Sequence, residues 1–458
     1  MARWTSVLLT LVVAAALAAQ GDARARAMDL MRQKKYEEAL EAYKKILQAE
    51  PEDTNSLYNA ACAAARLGRK EEALDYLKRA VDAGWGDFGH MKRDPDLESL
   101  RGEEAFKRLL AGRVEALKKA MEKRLKKWKE RLGADYGLIE DRERKLLVLS
   151  NLPEASRKRL ASALKDYYDA FHKEFFENVP DYQILVIIPK TAAEYRGKCG
   201  GRTGAAGFYR HDVRTLFVNI ETGGGTMIHE FTHAMHYGDM EARGQRHPIW
   251  IVEAFGTMFE QCTIRDGRPV GLLNWRLPII RRAIEKGEHI PWRDFMTKSS
   301  RHFARATSLS YAETRYIFYW LQEKGLMAKF YKKYVENYDD DPTGVKTFEA
   351  IVGKSLEEAE PEWRGFVKKL KREGADRPRL GVYLDESEDA VKVTKVAPDS
   401  GAEQAGVKPE DVILEIEGKE VKSVRDLRAG LSGKKRGDRV RVKVKRGEET
   451  LELEVTLK

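Results

Sequence analysis

Two histidines flank a glutamate in the segment HEFTH at residues 229–233. Side chains at positions i and i+4 lie on one face of an α-helix, so His229 and His233 can present two imidazoles to one metal ion. Glu230 lies beside them, where a carboxylate can take a proton from a water molecule on that ion. The spacing predicts a catalytic zinc centre in which Glu230 is the base.

Glu253 is the predicted third ligand of this centre. It interrupts the apolar run Trp250–Phe255, and a carboxylate is costly to bury unless it is paired or bound to a metal. Two histidines and one glutamate leave the fourth tetrahedral position of zinc open to water, as a catalytic site requires. Weaker alternatives for this ligand are His236, His247 and Asp239.

The stretch from about residue 146 to 370 resembles the gluzincin metallopeptidases of the peptidase MA-like branch. The resemblance rests on the order of strand Phe217–Asn219, glycine run Gly223–Gly225, motif helix and Glu253 helix. It implies zinc-dependent hydrolysis of peptide bonds. It also implies an edge strand that pairs with the extended substrate, and residues 214–220 fit that strand.

The resemblance implies roles for two further residue types. Relatives often carry an aspartate four residues after the third ligand to orient a histidine, but Thr257 stands at this position, which leaves that partner unassigned. A tyrosine or histidine from a downstream helix stabilises the oxyanion. Tyr311 is the predicted donor, with His302 and Tyr316 as alternatives, and Glu230 is expected to protonate the leaving amine.

Short apolar runs and longer amphipathic segments alternate around these residues and predict an α+β domain over residues 135–370. The predicted strands are Leu146–Leu149, Ile184–Ile188 and Thr215–Val218. The predicted helices are Leu160–Glu177 and Thr226–Tyr237.

Residues 22–112 contain an internal repeat, because Glu37–Leu40 recurs as Glu71–Leu74 at an offset of 34 residues. This period resembles the tetratricopeptide repeat, which stacks helix pairs into a concave, protein-binding surface. Asp94–Leu110 is interpreted as part of a third copy. The alternative is a generic helical bundle.

Residues 113–131 predict a basic amphipathic helix with nine Lys/Arg against three Glu. Its apolar stripe consists of Val114, Leu117, Met121, Leu125 and Trp128. Two interpretations remain open. The stripe packs on the next domain with the charges solvated, or the helix lies on an anionic membrane surface.

Residues 376–458 predict a small β-rich domain, because apolar and charged residues alternate there with the period of strands. The segments LGV at 380–382 and GAEQAGV at 401–407 closely resemble PDZ domains of exported bacterial proteases. The resemblance implies that backbone N–H groups of Leu380, Gly381 and Val382 receive a peptide carboxylate, with a helix near Val424–Leu431 as the second wall. The alternative is a PDZ domain used for intramolecular docking or dimerisation.

Residues 1–20 are predicted to be a secretory signal peptide, with Arg3 before the apolar run Val7–Ala19 and small residues at its end. Thirteen helical residues would span about 20 Å, short of a roughly 30 Å hydrocarbon core. The expected location is therefore the periplasm or the exterior, where nucleic acid is not an expected partner.

Composition sets the limits of these interpretations. The chain has 458 residues, 42% of them hydrophobic, and a net charge of +10, which excludes collagen-like and wholly disordered classes. Three cysteines cannot form a disulfide framework, although pairing of Cys199 with Cys262 in an oxidising compartment stays open.

The sequence predicts a multidomain, exported zinc peptidase that binds polypeptides through both flanking modules. The rival interpretations are a catalytically idle TPR/PDZ scaffold and a membrane-surface adaptor.

Overall fold

The structure is a computed structural model that describes residues 23–201, 206–371, 378–387 and 390–458. The predicted signal peptide lies outside these residues. The chain divides into two compact units, one ending at Lys368 and one spanning Lys369–Lys458. The first unit contains the predicted repeats, the basic helix and the α+β region, and the second contains the predicted β-rich domain. Among the described helices, none is both long enough and apolar enough to span a membrane.

The N-terminal helices follow the 34-residue period of the sequence. The helices are α1 (23–32), α2 (Tyr36–Ala49), α3 (Thr54–Arg66) and α4 (Lys70–Asp82). α2 and α4 begin at equivalent positions of the two copies, and α3 packs on both through a fully buried run of small residues that includes Ala60 and Ala64.

The expected third copy is only partly helical. α5 (Phe88–Arg93) leads into a 3₁₀ turn, Pro95–Leu100, before α6 (Glu104–Ala111). Pro95 starts this turn, where its missing N–H and fixed φ are tolerated.

The basic helix is α7 (Arg113–Leu132) and belongs to the core of the α+β region. Leu117 and Met121 are buried, and Leu125 and Trp128 pack on apolar residues of the central sheet. This confirms the packing interpretation. Binding of this helix to a membrane surface would use the same apolar stripe, and Val114 is the one residue of the stripe that is exposed.

A five-stranded sheet lies beneath α7. Its strands are β1 (Gly137–Asp141), β2 (Leu146–Ser150), β3 (Ile184–Ile188), β4 (Gly207–Arg210) and β5 (Thr215–Val218). Their order is β1-β2-β3-β5-β4, with β2, β3 and β5 parallel and both outer strands antiparallel. The three predicted strands are confirmed.

The expectation that residues 214–220 form the free edge is wrong. β5 pairs with β3 on one side and with β4 on the other, so its backbone groups are used within the sheet. β4 is the edge strand on this side, and the short turn between β4 and β5 makes the two strands a hairpin.

Helices complete the first unit. Those packed near the sheet are α8 (Glu154–Glu174), α9 (Ala192–Cys199) and α10 (Gly224–Arg243). α11 (Ile249–Met258) follows, and then the small hairpin β6 (Cys262–Arg265) and β7 (Arg268–Gly271). The remaining helices are α12 (Leu277–Lys286), α13 (Trp292–Thr297), α14 (Ser299–Arg305), α15 (Thr307–Glu323), α16 (Met327–Glu336), α17 (Val345–Val352) and α18 (Leu356–Lys369).

The second unit is the predicted β-rich domain. Its strands are β8 (Val382–Ser387), β9 (Ala390–Val396), β10 (Val412–Ile416), β11 (Lys419–Glu420), β12 (Arg439–Arg446) and β13 (Glu449–Thr456). Its helices are α19 (Gly401–Gln404) and α20 (Val424–Gly430). The strand order is β13-β12-β10-β9-β8, with β8 at the edge. Val440, Val442 and Val444 alternate into the core, as the sequence predicts.

All three cysteines are free thiols, so the pairing of Cys199 with Cys262 is not found. Cys199 lies in the apolar cluster between the sheet and α7. Sγ of Cys262 lies 3.0 Å from the hydroxyl oxygen of Tyr167. The two sulfurs therefore belong to different packing environments.

Candidate metal centre and peptide-binding edges

The motif helix holds its two histidines as the i, i+4 spacing predicts. His229 and His233 are buried on α10, and their Nε2 atoms lie 3.0 Å apart. α10 begins two residues before the predicted helix and continues six residues beyond it, to Arg243.

Glu253 reaches the same point from α11. Its Oε2 lies 3.5 Å from Nε2 of His229 and 3.4 Å from Nε2 of His233. One ligand atom from each of the three residues lies within 4.8 Å of the others. This oxygen is buried and makes no hydrogen bond within the described part of the chain, and such an orphaned polar atom calls for a partner. The donor set fits zinc.

The charges around this point favour a cation. Burial lowers the pKa of His229, but Glu253 and Glu260 outweigh burial and raise that pKa to about 10. Burial raises the pKa of Glu253, but the two histidines outweigh it and leave that pKa far below its usual value. The pocket therefore stabilises positive charge at the nitrogen atoms that face the carboxylate.

Glu260 is the partner of His229 that sequence reasoning missed. Its Oε1 lies 3.3 Å from Nδ1 of His229. Thr257, at the position where the gluzincin resemblance implies an aspartate, instead donates its hydroxyl to the carbonyl of Glu253 at 2.6 Å. The available signal was a glutamate seven residues after Glu253, just beyond the end of α11 at Met258.

Arg276 holds Glu260 in place. Its Nε and Nη2 donate to the two carboxylate oxygens at 2.7 and 2.6 Å, a two-pronged contact. Nδ2 of Asn274 donates to Oε2 at 3.1 Å. Burial raises the pKa of Glu260, but Arg276 and His229 lower it to about 2. Glu260 is therefore ionised, and its negative charge faces the imidazole of His229.

Tyr311 packs near His229, whereas the two alternative donors make other contacts. Its ring centroid is 6.2 Å from that of His229, and the guanidinium carbon of Arg276 lies 4.9 Å from the same tyrosine ring. Burial, and then the charges of nearby carboxylates, raises the pKa of Tyr311 above its usual value. The phenol stays protonated and can donate. His302 instead pairs with Asp294 at 2.7 Å, and the hydroxyl oxygen of the buried Tyr316 accepts from the backbone N–H of Asn274 at 3.4 Å.

Glu230 lies next to the edge of the sheet. It is half-buried on α10, one residue after His229. A β-carbon built on Gly207, the first residue of β4, would lie 3.4 Å from Cγ of Glu230. Among the described strands, β4 is the sheet edge that begins beside the candidate base.

The three weaker ligand candidates are engaged elsewhere. Nε2 of His236 lies 2.8 Å from Nδ1 of His247, and burial lowers the pKa of both rings well below the usual value. Asp239 accepts from the hydroxyl of Tyr331 at 2.7 Å and from Nε of Arg243 at 3.0 Å. These contacts stabilise the back of α10.

The loop 380–382 forms a tight turn at the start of an edge strand. Gly381 has a φ of +88°, and a β-carbon there would lie 2.1 Å from Cβ of Ser400, so only glycine fits. The carbonyls of Leu380 and Gly381 accept from N–H groups of Ala402 and Ala397. Val382 then opens β8, one of the two edge strands of this sheet in the described part of the chain.

Two family models match the chain: tetratricopeptide repeat over residues 24–88 and PDZ domain over residues 378–457. The repeat and PDZ predictions are thereby confirmed.

Curated relatives match only a small part of the chain. It is 39% identical over 79 residues to a chloroplastic protein of Arabidopsis thaliana, covering 17% of this chain and 24% of that protein. It is 40% identical over 79 residues to Serine protease Do-like HtrB of Bacillus subtilis, covering 17% of each. The chain thus spans about a quarter or less of the length of these relatives. A solved HtrA3 PDZ domain bound to a phage-derived ligand is 16% identical and covers 18% of this chain and 85% of that one, with a TM-score of 0.16.

Proposed function

We propose that this chain is a zinc-dependent peptidase whose repeat and PDZ modules bind polypeptides. One observation carries the proposal: Oε2 of Glu253 faces the Nε2 atoms of His229 and His233 at 3.5 and 3.4 Å. The carboxylate and the two imidazoles come from two helices and converge on one point that suits a cation. Glu230, the residue type that acts as base in such a centre, stands beside them.

The residues around this point have separate roles. Zinc, when bound by His229, His233 and Glu253, would polarise the scissile carbonyl and make water acidic enough to attack near neutral pH. Glu230 takes the proton of the attacking water and passes it to the leaving amine. The protonated phenol of Tyr311 donates a hydrogen bond to the developing oxyanion.

Protein or peptide substrates suit the surrounding surfaces. β4 has no second neighbour among the described strands and begins at Gly207 beside Glu230, so an extended peptide can add there as a further strand through backbone hydrogen bonds. The tetratricopeptide repeats and the PDZ domain are both modules that bind polypeptide. The Bacillus subtilis relative is named a serine protease, but its likeness to this chain lies in the PDZ region alone. We therefore do not extend serine-protease chemistry to this chain.

The decisive experiment compares metal content and casein cleavage of the purified full chain with its variants. We expect one zinc per chain and cleavage in the wild type, loss of zinc in His229→Ala, and zinc without cleavage in Glu230→Gln. His302→Ala is the matched control, since that ring pairs with Asp294, and it should keep both properties. Stoichiometric zinc without any proteolysis in the wild type would favour the idle scaffold.

Export of the enzyme is the second part of the proposal. The charged residue, apolar run and small residues at positions 1–20 support it. Intact-mass measurement of the protein from its native host should find a mature chain that lacks this segment. A chain that retains the segment would contradict cleavage.

A further inference from the structure

We propose that Arg276 is a positioning residue that orders both sides of the metal centre at once. Through Glu260 it fixes the ligand His229, and through its contact with the aromatic ring it fixes Tyr311. The inference rests on the proposed zinc site and assigns Arg276 a role in zinc affinity as well as in turnover.

The first connection is a two-pronged ion pair. Nε and Nη2 of Arg276 bond both oxygens of Glu260 at 2.7 and 2.6 Å. The Arg276 and Glu260 side chains are only 15% and 7% exposed. A planar guanidinium fixes both the position and the rotation of a carboxylate in this geometry. Oε1 of Glu260 also lies 3.3 Å from Nδ1 of His229, so the position of Glu260 limits the orientations that the imidazole can adopt.

The second connection is a cation–π contact. The guanidinium carbon lies 4.9 Å from the ring of Tyr311, within the range of an attractive interaction. The ring of Tyr311 also packs at 88° against Phe303 at 5.3 Å, so it is held from two sides. A donor to an oxyanion must be placed before the reaction, because reorganising it would raise the barrier.

The backbone around Arg276 is itself fixed. Oδ1 of Asn274 accepts from the backbone N–H of Arg276 at 3.0 Å, while Nδ2 of the same residue donates to Glu260. Asn274 is fully buried. The loop before α12 therefore holds the guanidinium at one place, from which it reaches both Glu260 and Tyr311.

Lysine cannot replace arginine here, although it keeps the charge. An ammonium group is a compact point charge and offers neither the fork for Glu260 nor the flat face for Tyr311. Arg276→Lys is therefore the test variant, and the same substitution at Arg282, exposed on α12, is the matched control.

Zinc affinity is measured by chelator competition on the full chain, separately from turnover. We expect the zinc dissociation constant to rise at least about 10-fold in Arg276→Lys and in Glu260→Gln, as for other partners of ligating histidines. The double variant should bind zinc no more weakly than the worse single variant, because both act through His229. Tyr311→Phe and Arg282→Lys should bind zinc like the wild type.

Turnover is measured at saturating zinc. Tyr311→Phe should lower kcat, and Arg276→Lys should lower kcat much less in the Tyr311→Phe background than in the wild type. The inference is overturned if Arg276→Lys binds zinc like the wild type. It is also overturned if Arg276→Lys lowers kcat by the same factor in the Tyr311→Phe background as in the wild type.

The proposed function fails in a different way. A wild type that binds no zinc, or binds zinc and cleaves nothing, contradicts the peptidase. In the second case the zinc affinities of Arg276→Lys and Glu260→Gln still decide whether Arg276 positions His229. If Arg276→Lys fails to fold, Glu260→Gln breaks the same connection while keeping a hydrogen-bond acceptor for the guanidinium.

Discussion

A β-carbon on Gly256 would lie 2.9 Å from Nε2 of His229. The same added atom would lie 2.8 Å from Cε1 of His233. Gly256 therefore lets α11 approach α10 closely enough for Glu253 to reach the two histidines. Glycine in the middle of a helix is less stable than alanine. The close approach of α11 to α10 explains why glycine nevertheless suits this position.

Gly256→Ala should damage the metal centre more than the fold. The extra methyl group must push both imidazoles aside, and overpacking of this kind costs about 1–3 kcal/mol. We expect zinc affinity to fall about 10-fold, because 1.4 kcal/mol corresponds to a factor of ten. Gly365→Ala, in the helix α18 with open space around its added carbon, is the control and should raise stability slightly without affecting zinc.

Thr257→Val should leave zinc affinity within about threefold of the wild type. The hydroxyl of Thr257 bonds carbonyls of its own helix and orients no histidine, so removing it costs helix stability at most about 1 kcal/mol. Isothermal titration with zinc checks this directly. If Thr257→Val lowered zinc affinity as much as Glu260→Gln does, Thr257 would be a residue that orients a histidine.

The convergence of three residues at the candidate metal centre was predictable because their signals are local. The i, i+4 spacing of His229 and His233 fixes their common face, and Glu253 stands out as a charge in an apolar helix. Glu260 was not predictable in the same way. Its role depends on Arg276, sixteen residues further on, and on the packing of α12 against α15.

The edge strand shows the same limit at the level of topology. The strand Thr215–Val218 was predicted with its correct bounds. Its neighbours were not, because strand order depends on pairing between segments. The short strand β4 has the sequence GFYR, with little of the apolar alternation that marks a strand, so only the structure shows that β4 covers β5.

Tyr311→Phe should lower kcat about 100-fold at saturating zinc, the usual loss when one oxyanion donor is removed. The ring remains, so packing against Phe303 and Arg276 should be kept. Tyr319→Phe, a half-buried tyrosine two turns further along α15, is the control and should keep full turnover. Steady-state kinetics on a fluorogenic peptide would measure both, and equal rates for the two variants would remove Tyr311 from the mechanism.

Stability of the PDZ unit should depend on pH through Asp411. This fully buried carboxylate accepts from Nε and Nη2 of Arg446, both at 2.7 Å. Burial raises its pKa, but Arg446 and the Lys408 backbone N–H outweigh burial, so the pKa is lowered on folding. The stabilisation is therefore present above the unfolded pKa of about 3.9 and is lost as pH falls through the lower folded value.

Asp411→Asn should remove this acid dependence and cost about 1–3 kcal/mol at neutral pH, because Arg446 loses its charged partner. Hydrogen exchange of β12 and β13 amides in the full chain, measured between pH 7 and 3, reports on this unit. Asp399→Asn, which changes an exposed carboxyl of the same unit, should follow the wild-type profile. A wild type equally protected at pH 3 and pH 7 would contradict the assignment.

Arg214 should be a main anchor between the helical repeats and the α+β region. Its side chain is 3% exposed, and Nη2 donates to the carbonyl of Gly86 and to Glu241, each at 2.7 Å. Removing one partner of a buried ion pair costs about 3 kcal/mol or more. We expect Arg214→Met to lower the unfolding free energy of the first unit by this amount in urea denaturation. Arg210→Met, which breaks an exposed pair with Asp212, should cost at most about 1 kcal/mol, and equal losses for the two variants would show that Arg214 is no anchor.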